Sequence, residues 1–213
     1  QRTRSTSLEA ALKYLLLGAF ATGFLLFGIA LLFAASATTD LAQLASFAAT
    51  QAREQGNAQI FLLYAGIALL LIGLMFKVSL FPFHQWTPDV YEGSPTAVTA
   101  FMSVGSKEAG FAAAWRVLGI DEGIGLLGPQ WDGLIWVVTA ATLVVANVAA
   151  LFQTSLKRML AYSGIAHAGY VLIGFLVTFL GLQIARRAGI LPTDLPTTAQ
   201  PIRKDVDGET RPE

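Results

Sequence analysis

Long apolar stretches divided by short polar ones set the plan of the chain. Apolar runs of about 20 residues, enough to cross roughly 30 Å of hydrocarbon as a helix, recur along it. They predict five helices, over Leu12–Ala35, Ile60–Phe83, Ala97–Leu118, Gly133–Phe152 and Leu160–Leu182. Between them, Thr38–Asn57 is polar, Thr87–Thr96 and Gly119–Asp132 are rich in Gly, Pro and acids, and Gln153–Arg158 is a short turn. All four read as loops. Beyond Gly181 the chain turns polar and is broken by Pro192, Pro196, Pro201 and Pro212. Residues 1–182 therefore read as a membrane domain and 183–213 as a polar, disordered tail. The expected fold is all-α, a polytopic membrane helix bundle of about five transmembrane helices, with one broken near Lys77–Pro82.

The break follows from Phe76-Lys77-Val78-Ser79-Leu80-Phe81-Pro82-Phe83-His84-Gln85-Trp86-Thr87-Pro88-Asp89. Pro82 has no N–H for the carbonyl of Val78, and its ring crowds that turn, so the helix must kink or stop beside Lys77. In hydrocarbon, loose backbone and a charge survive together only against protein or a wet cavity. Helices broken beside ion sites recur in transporters, which makes transport the first functional reading.

Composition agrees with a membrane class. The chain is 54% hydrophobic and 13% charged, where soluble domains carry about 25% charged residues. Its 14 basic and 14 acidic residues leave no net charge, so no nucleic-acid footprint is expected. With no cysteine, the chain has no disulfide, thiolate metal site or iron–sulfur ligand of that type. It opens with Gln1, shows no signal-peptide pattern, and reads as an internal start. Counting basic residues at the helix ends gives a tie unless the tail is discounted. Discounting it puts the N-terminus, the His84–Thr96 loop and Lys157 in the cytoplasm.

Lys107 stands near the middle of the third predicted helix, where a lysine costs about 2.5–3.5 kcal/mol to insert and cannot easily reach the interface. Glu108 points about 100° away from it on a helix and does not neutralise it. Two buried lysines able to trade a proton suit a relay, so Lys77 and Lys107 are the leading site residues, with Ser79, Ser103, Ser106 and His84 as hydrophilic surroundings. Lys13 follows Glu9 by one turn, an arrangement that also suits a solvated interfacial pair. Histidine is the side chain best suited to exchange protons near physiological pH, so His84 and His167 can be proton carriers, or serve as packing residues. Asp89 and Glu92 are expected in a loop, solvated or touching another subunit. Gly18 with Thr22, and Ala19 with Gly23, have the spacing of close helix packing. No phosphate loop, His/Glu metal spacing or Ser-His-Asp grouping is present in the sequence.

Lys77–Gly93, Ser106-Lys107 and Lys157-Arg158-Met159-Leu160-Ala161-Tyr162-Ser163 with His167-Ala168-Gly169-Tyr170 resemble the subunit N family of proton-translocating NADH-quinone oxidoreductase, respiratory complex I. The likeness runs from about Ser7 to Leu176. Pro-Phe-His-x-Trp-x-Pro-Asp is shared with other antiporter-like subunits and cation/proton antiporters, while Thr87–Gly93 favours subunit N. The resemblance implies a translocase subunit of the bacterial inner membrane. It would carry part of a proton channel through Lys77, Lys107, Lys13, His84 and His167, among other membrane-arm subunits and lipid. NADH, FMN, iron–sulfur clusters and quinone would belong to partner subunits. A component of a sodium/proton antiporter and a non-pumping structural remnant are the alternatives. The family is built on two inverted repeats; the glutamate helix before the first helix and the second half are missing here, Glu108 stands where a small or apolar residue is expected, and a fragment, frameshift or split gene is implied.

Overall fold

The computed structural model describes residues 4–51, 58–117 and 129–190. These form seven helices: α1 (Ser5–Ser36), α2 (Leu41–Gln51), α3 (Ala58–Val78), α4 (Trp86–Gly93), α5 (Thr96–Val117), α6 (Pro129–Leu151) and α7 (Leu156–Arg187). Four of them, α1, α3, α6 and α7, are long and apolar enough to cross a membrane. The third predicted helix is present as α5, of comparable length, but Lys107, Glu108 and Arg116 make it the least apolar of the five. The described residues are thus an all-helical, polytopic bundle, as expected.

Two of the expected loops are helical. Thr38–Asn57 contains α2, which starts where the Asp40 carboxylate accepts hydrogen bonds from the amides of Ala42 and Gln43 and so caps the first turn. Thr87–Thr96 is mostly α4, because Pro88 falls in the first turn of the helix, where a missing N–H costs nothing. The sixth helix begins at Pro129, inside the expected 119–132 loop, and residues 118–128 of that loop lie outside the described ones. At the C-terminus α7 runs to Arg187, past the expected end at Leu182, and residues 191–213 of the tail lie outside the described ones.

The first and third helices run antiparallel and in close contact, α6 lies along α7, and α5 stands between α3 and α7. The α1–α3 approach depends on Gly28, where a Cβ would come within 2.7 Å of the Leu70 amide nitrogen, and on Gly73, where it would meet the Leu25 side chain at 2.6 Å. Gly18 and Gly23 have open space around them. The packing expected of the Gly18/Thr22 and Ala19/Gly23 pairs is therefore not made among the described residues; the α1–α3 contact lies on the neighbouring face, where Ala21, Gly28 and Leu32 are buried. Spacing alone marks a smooth face of a helix without saying which face meets a partner.

One end of the bundle gathers the start of α1, all of α4 and the start of α7. Ser7 donates a hydrogen bond to the Gly93 carbonyl at 2.8 Å, and Lys157 to the Ser94 carbonyl at 3.2 Å. The start of α1, the segment after His84 and Lys157 therefore share one end.

Candidate functional site

The interruption after Val78 organises the site. Ser79 is left-handed, with φ of 64°; its amide bonds to the Phe76 carbonyl at 3.1 Å, and the Leu80 amide reaches back to the Met75 carbonyl at 2.9 Å. This pair of bonds is the Schellman termination, in which glycine usually takes the left-handed place. Residues 79–85 are not helical, and α4 resumes at Trp86. Leu80 is buried in an apolar cluster against which Met75 also packs, in keeping with the apolar contact that often accompanies such an end. The helix thus stops four residues before Pro82, at the last carbonyl that Pro82 leaves without a donor.

Polar groups of the break are paired locally and across the bundle. The Thr87 hydroxyl donates to Ser79 Oγ at 2.7 Å, both fully buried. Trp86 Nε1 donates to the Phe76 carbonyl at 3.1 Å. The Phe81 amide donates to Thr142 Oγ1 on α6 at 3.1 Å, and Thr142 in turn donates to the Val138 carbonyl at 2.6 Å. His84 is buried, stacked on Phe81 with ring centroids 5.7 Å apart, and its Nδ1 has no partner among the described residues.

Around this break the predicted residues take up different positions. Lys107, eleven residues into α5 and so roughly 16 Å along it, is buried, and its ammonium donates to the Gly164 carbonyl of α7 at 2.8 Å. It makes no ion pair among the described residues, and Glu108 is exposed on another face. Lys77, on the last turn of α3, is exposed; its Cγ would lie 3.3 Å from a Cβ at Gly110, one turn beyond Lys107 on α5. The stem of one lysine and the root of the other therefore share the α3–α5 seam. His167 is exposed, with Nδ1 2.7 Å from the Ser163 carbonyl and its ring edge-on to Tyr170. Ser103 turns back to the Ala100 carbonyl of its own helix.

Lys13 lies apart from the break, at the end where α1, α4 and α7 meet. Its ammonium pairs with Glu9 at 2.6 Å, as the spacing predicts, and also with Asp89 at 2.6 Å. Asp89 is shared with Arg158 of α7, which reaches Glu92 as well. Asp89 and Glu92 are consequently helical and ion-paired within the chain, and not loop residues as expected. Burial pushes the Asp89 carboxyl up, but hydrogen bonds from Lys13 and Arg158, together with their charges, outweigh it and hold the group below the usual carboxylate range.

Three residues of this arrangement escape sequence reasoning: Thr142, Thr87 and Gly164. The available signal is Thr139 and Thr142, one turn apart on an otherwise apolar stretch of α6. Both bond back to their own helix, at Ile135 and Val138, as such hydroxyls commonly do. Only Thr142 receives a second partner, and that partner is 61 residues away. Among the described residues no group of three or more His, Cys, Asp or Glu converges.

Comparison with known proteins gives one consistent picture. The family described as "NADH:quinone oxidoreductase/Mrp antiporter, TM" matches residues 1–190. NADH-quinone oxidoreductase subunit N of Chloroflexus aggregans is 53% identical over 174 residues, which are 82% of this chain and 35% of that protein. A chain of respiratory complex I from Thermus thermophilus superposes with a TM-score of 0.62 at 42% identity, over 79% of this chain and 34% of its own length. The Mrp complex from Dietzia sp. DQ12-45-1b gives a TM-score of 0.66 at 23% identity over 81% of this chain and 30% of its own, a likeness of fold alone. The chain spans about a third of the length of these relatives.

Proposed function

Because the chain belongs to the NADH:quinone oxidoreductase/Mrp antiporter transmembrane family, we propose that it is a membrane-arm subunit of an NADH-quinone oxidoreductase, or a part of one, that carries a section of a proton route. It works in the bacterial inner membrane as part of a translocase, beside other membrane-arm subunits. NADH, FMN, iron–sulfur clusters and quinone are handled by those partners, and this chain performs no redox step.

The observation that carries this reading is Lys107. A buried ammonium on a membrane-depth helix, held by a backbone carbonyl and unpaired with a carboxylate among the described residues, can release and regain a proton without breaking an ion pair. The helix break supplies Lys77 and the His84 imidazole, whose Nδ1 has no partner among the described residues, while His167 and the Lys13–Asp89 cluster stand farther along α7 and α1. A proton would pass between these groups, through water where no side chains touch. The test is expression of the chain with the remaining subunits of the oxidoreductase. Copurification with the membrane arm and a fall in protons moved per NADH oxidised on Lys107→Ala are expected. Copurification with unchanged proton movement would leave only the structural-remnant alternative, and copurification with antiporter subunits would favour sodium/proton exchange.

A further inference from the structure

We propose that Thr142 is a positioning residue, a latch on α6 whose hydroxyl ties down the 79–85 break and so fixes where Lys77 and His84 stand. The functional weight of this rests on the proton-route reading; the latch itself does not.

The break frees backbone amides that no ladder carbonyl can take. One of them, Phe81 N–H, points at Thr142 Oγ1, 3.1 Å away on a different helix. That hydroxyl is fully buried and its own proton is committed to the Val138 carbonyl at 2.6 Å, so it meets Phe81 as an acceptor. On its other side the bare backbone of Gly169 on α7 leaves room for it: a Cβ there would lie 3.6 Å from the Thr142 methyl. Thr142 is therefore fixed by its own helix and by the break at once. Leu80, next to Phe81 in sequence, and Val138, whose carbonyl accepts from Thr142, line a cavity of about 80 Å³ with Val78, Phe111 and Leu172, all apolar, so a water in it would find few polar partners. At membrane depth a freed amide has no other acceptor within the described residues, so removing the hydroxyl must loosen the break. Lys77 precedes the break by two residues and His84 lies inside it, so both move with it. Thr139, one turn earlier and buried too, bonds only to its own helix and serves as the internal control.

The test is hydrogen exchange on the whole chain in nanodiscs, followed at Phe81 and across 79–85. Wild type should protect the Phe81 amide. Thr142→Val, which keeps shape and removes the hydroxyl, should speed exchange across 79–85 by roughly ten- to a hundredfold, the opening expected when one buried amide loses its acceptor. The α1–α3 contact should exchange as before, Thr139→Val should leave 79–85 unchanged, and Thr142→Ser should restore protection. The chain has no cysteine, so His84→Cys can be labelled without background. Its maleimide reaction should be slow in the wild-type and Thr142→Ser backgrounds and at least about tenfold faster with Thr142→Val. Wild-type Phe81 exchanging like an exposed amide, or Thr142→Val leaving both readouts unmoved, would overturn the latch. If Thr142→Val does not fold, the wild-type Phe81 rate and Thr142→Ser decide: protection in both supports the latch, and its loss in either overturns it. None of these measurements involves proton translocation, so a failure of the proton-route reading would be seen separately.

Discussion

The Lys107 ammonium on α5 bonds to the main-chain carbonyl of Gly164 on α7, at 2.8 Å. Main chain takes the place that a carboxylate usually holds opposite a buried lysine. Two features of Gly164 suit it to this task. The α7 carbonyl keeps a lone pair free beside its helical bond, and the missing side chain leaves room for the approach: a Cβ there would lie 3.3 Å from Lys107 Nζ and touch nothing else nearby.

The first prediction concerns this contact. An alanine at 164 would displace the end of a flexible side chain by a few tenths of an ångström, while alanine in place of glycine inside a helix is worth about 1 kcal/mol. Gly164→Ala should therefore leave thermal stability equal to or slightly above wild type, yet lower proton translocation. Gly164→Leu should push Lys107 out and cost both. Thermal melting in detergent, paired with proton uptake in vesicles, reads the difference; Gly164→Ala with unaltered translocation would mean that the seat of the ammonium is not critical.

A second prediction concerns pH. In the folded chain the Asp89 carboxyl is held below its usual range by Lys13 and Arg158. A depressed folded value contributes stability that is fully present above the ordinary carboxylate value of about 4 and is lost as pH falls through the folded value. Melting temperature should thus drop as pH is lowered below about 4, and Asp89→Asn should remove part of that dependence while lowering stability near neutrality. An equal acid response in Asp89→Asn and wild type would show that the three-helix cluster contributes nothing measurable.

The third prediction separates two opposed effects at Ser79. Its left-handed backbone costs roughly 1–2 kcal/mol against glycine, and its hydroxyl accepts from the buried Thr87 hydroxyl, a bond worth about 1 kcal/mol. Ser79→Gly should come out near neutral. Ser79→Val, β-branched at positive φ and lacking the acceptor, should destabilise by about 3 kcal/mol. Chemical denaturation of the two variants in detergent checks the ordering, and a Val variant as stable as Gly would contradict the termination described for α3.

Much of this architecture can be read from residue order alone. Apolar runs near 20 residues locate α1, α3, α5, α6 and α7, and Pro82 locates the break, because both signals act over one or two helical turns. Short amphipathic pieces are harder. The alanines and polar residues of α2 give no long apolar run, and only the Asp40 cap marks its start. Pro88, Asp89 and Glu92 look like loop chemistry, although a proline and acids in a first turn equally suit a helix start. Partners across the bundle are not legible. Lys13 meets Asp89 from 76 residues away, Lys107 meets Gly164 from 57, and which glycine of α1 faces α3 depends on a helix rotation that spacing leaves open. Lys77, equally prominent in the sequence, is exposed in the described residues, where Lys107 is buried.

The central claim is that Lys107 exchanges a proton rather than merely supplying a buried charge. Arginine keeps the charge but does not release its proton under these conditions, whereas alanine removes both. The direct measurement is the number of protons translocated per NADH oxidised by vesicles containing the assembled enzyme with this segment in its full-length subunit. Lys107→Arg, assembled normally, should translocate fewer protons than wild type, and the Lys107→Ala, Lys77→Ala double variant should fall further. Wild-type translocation in that assembled double variant would contradict the account.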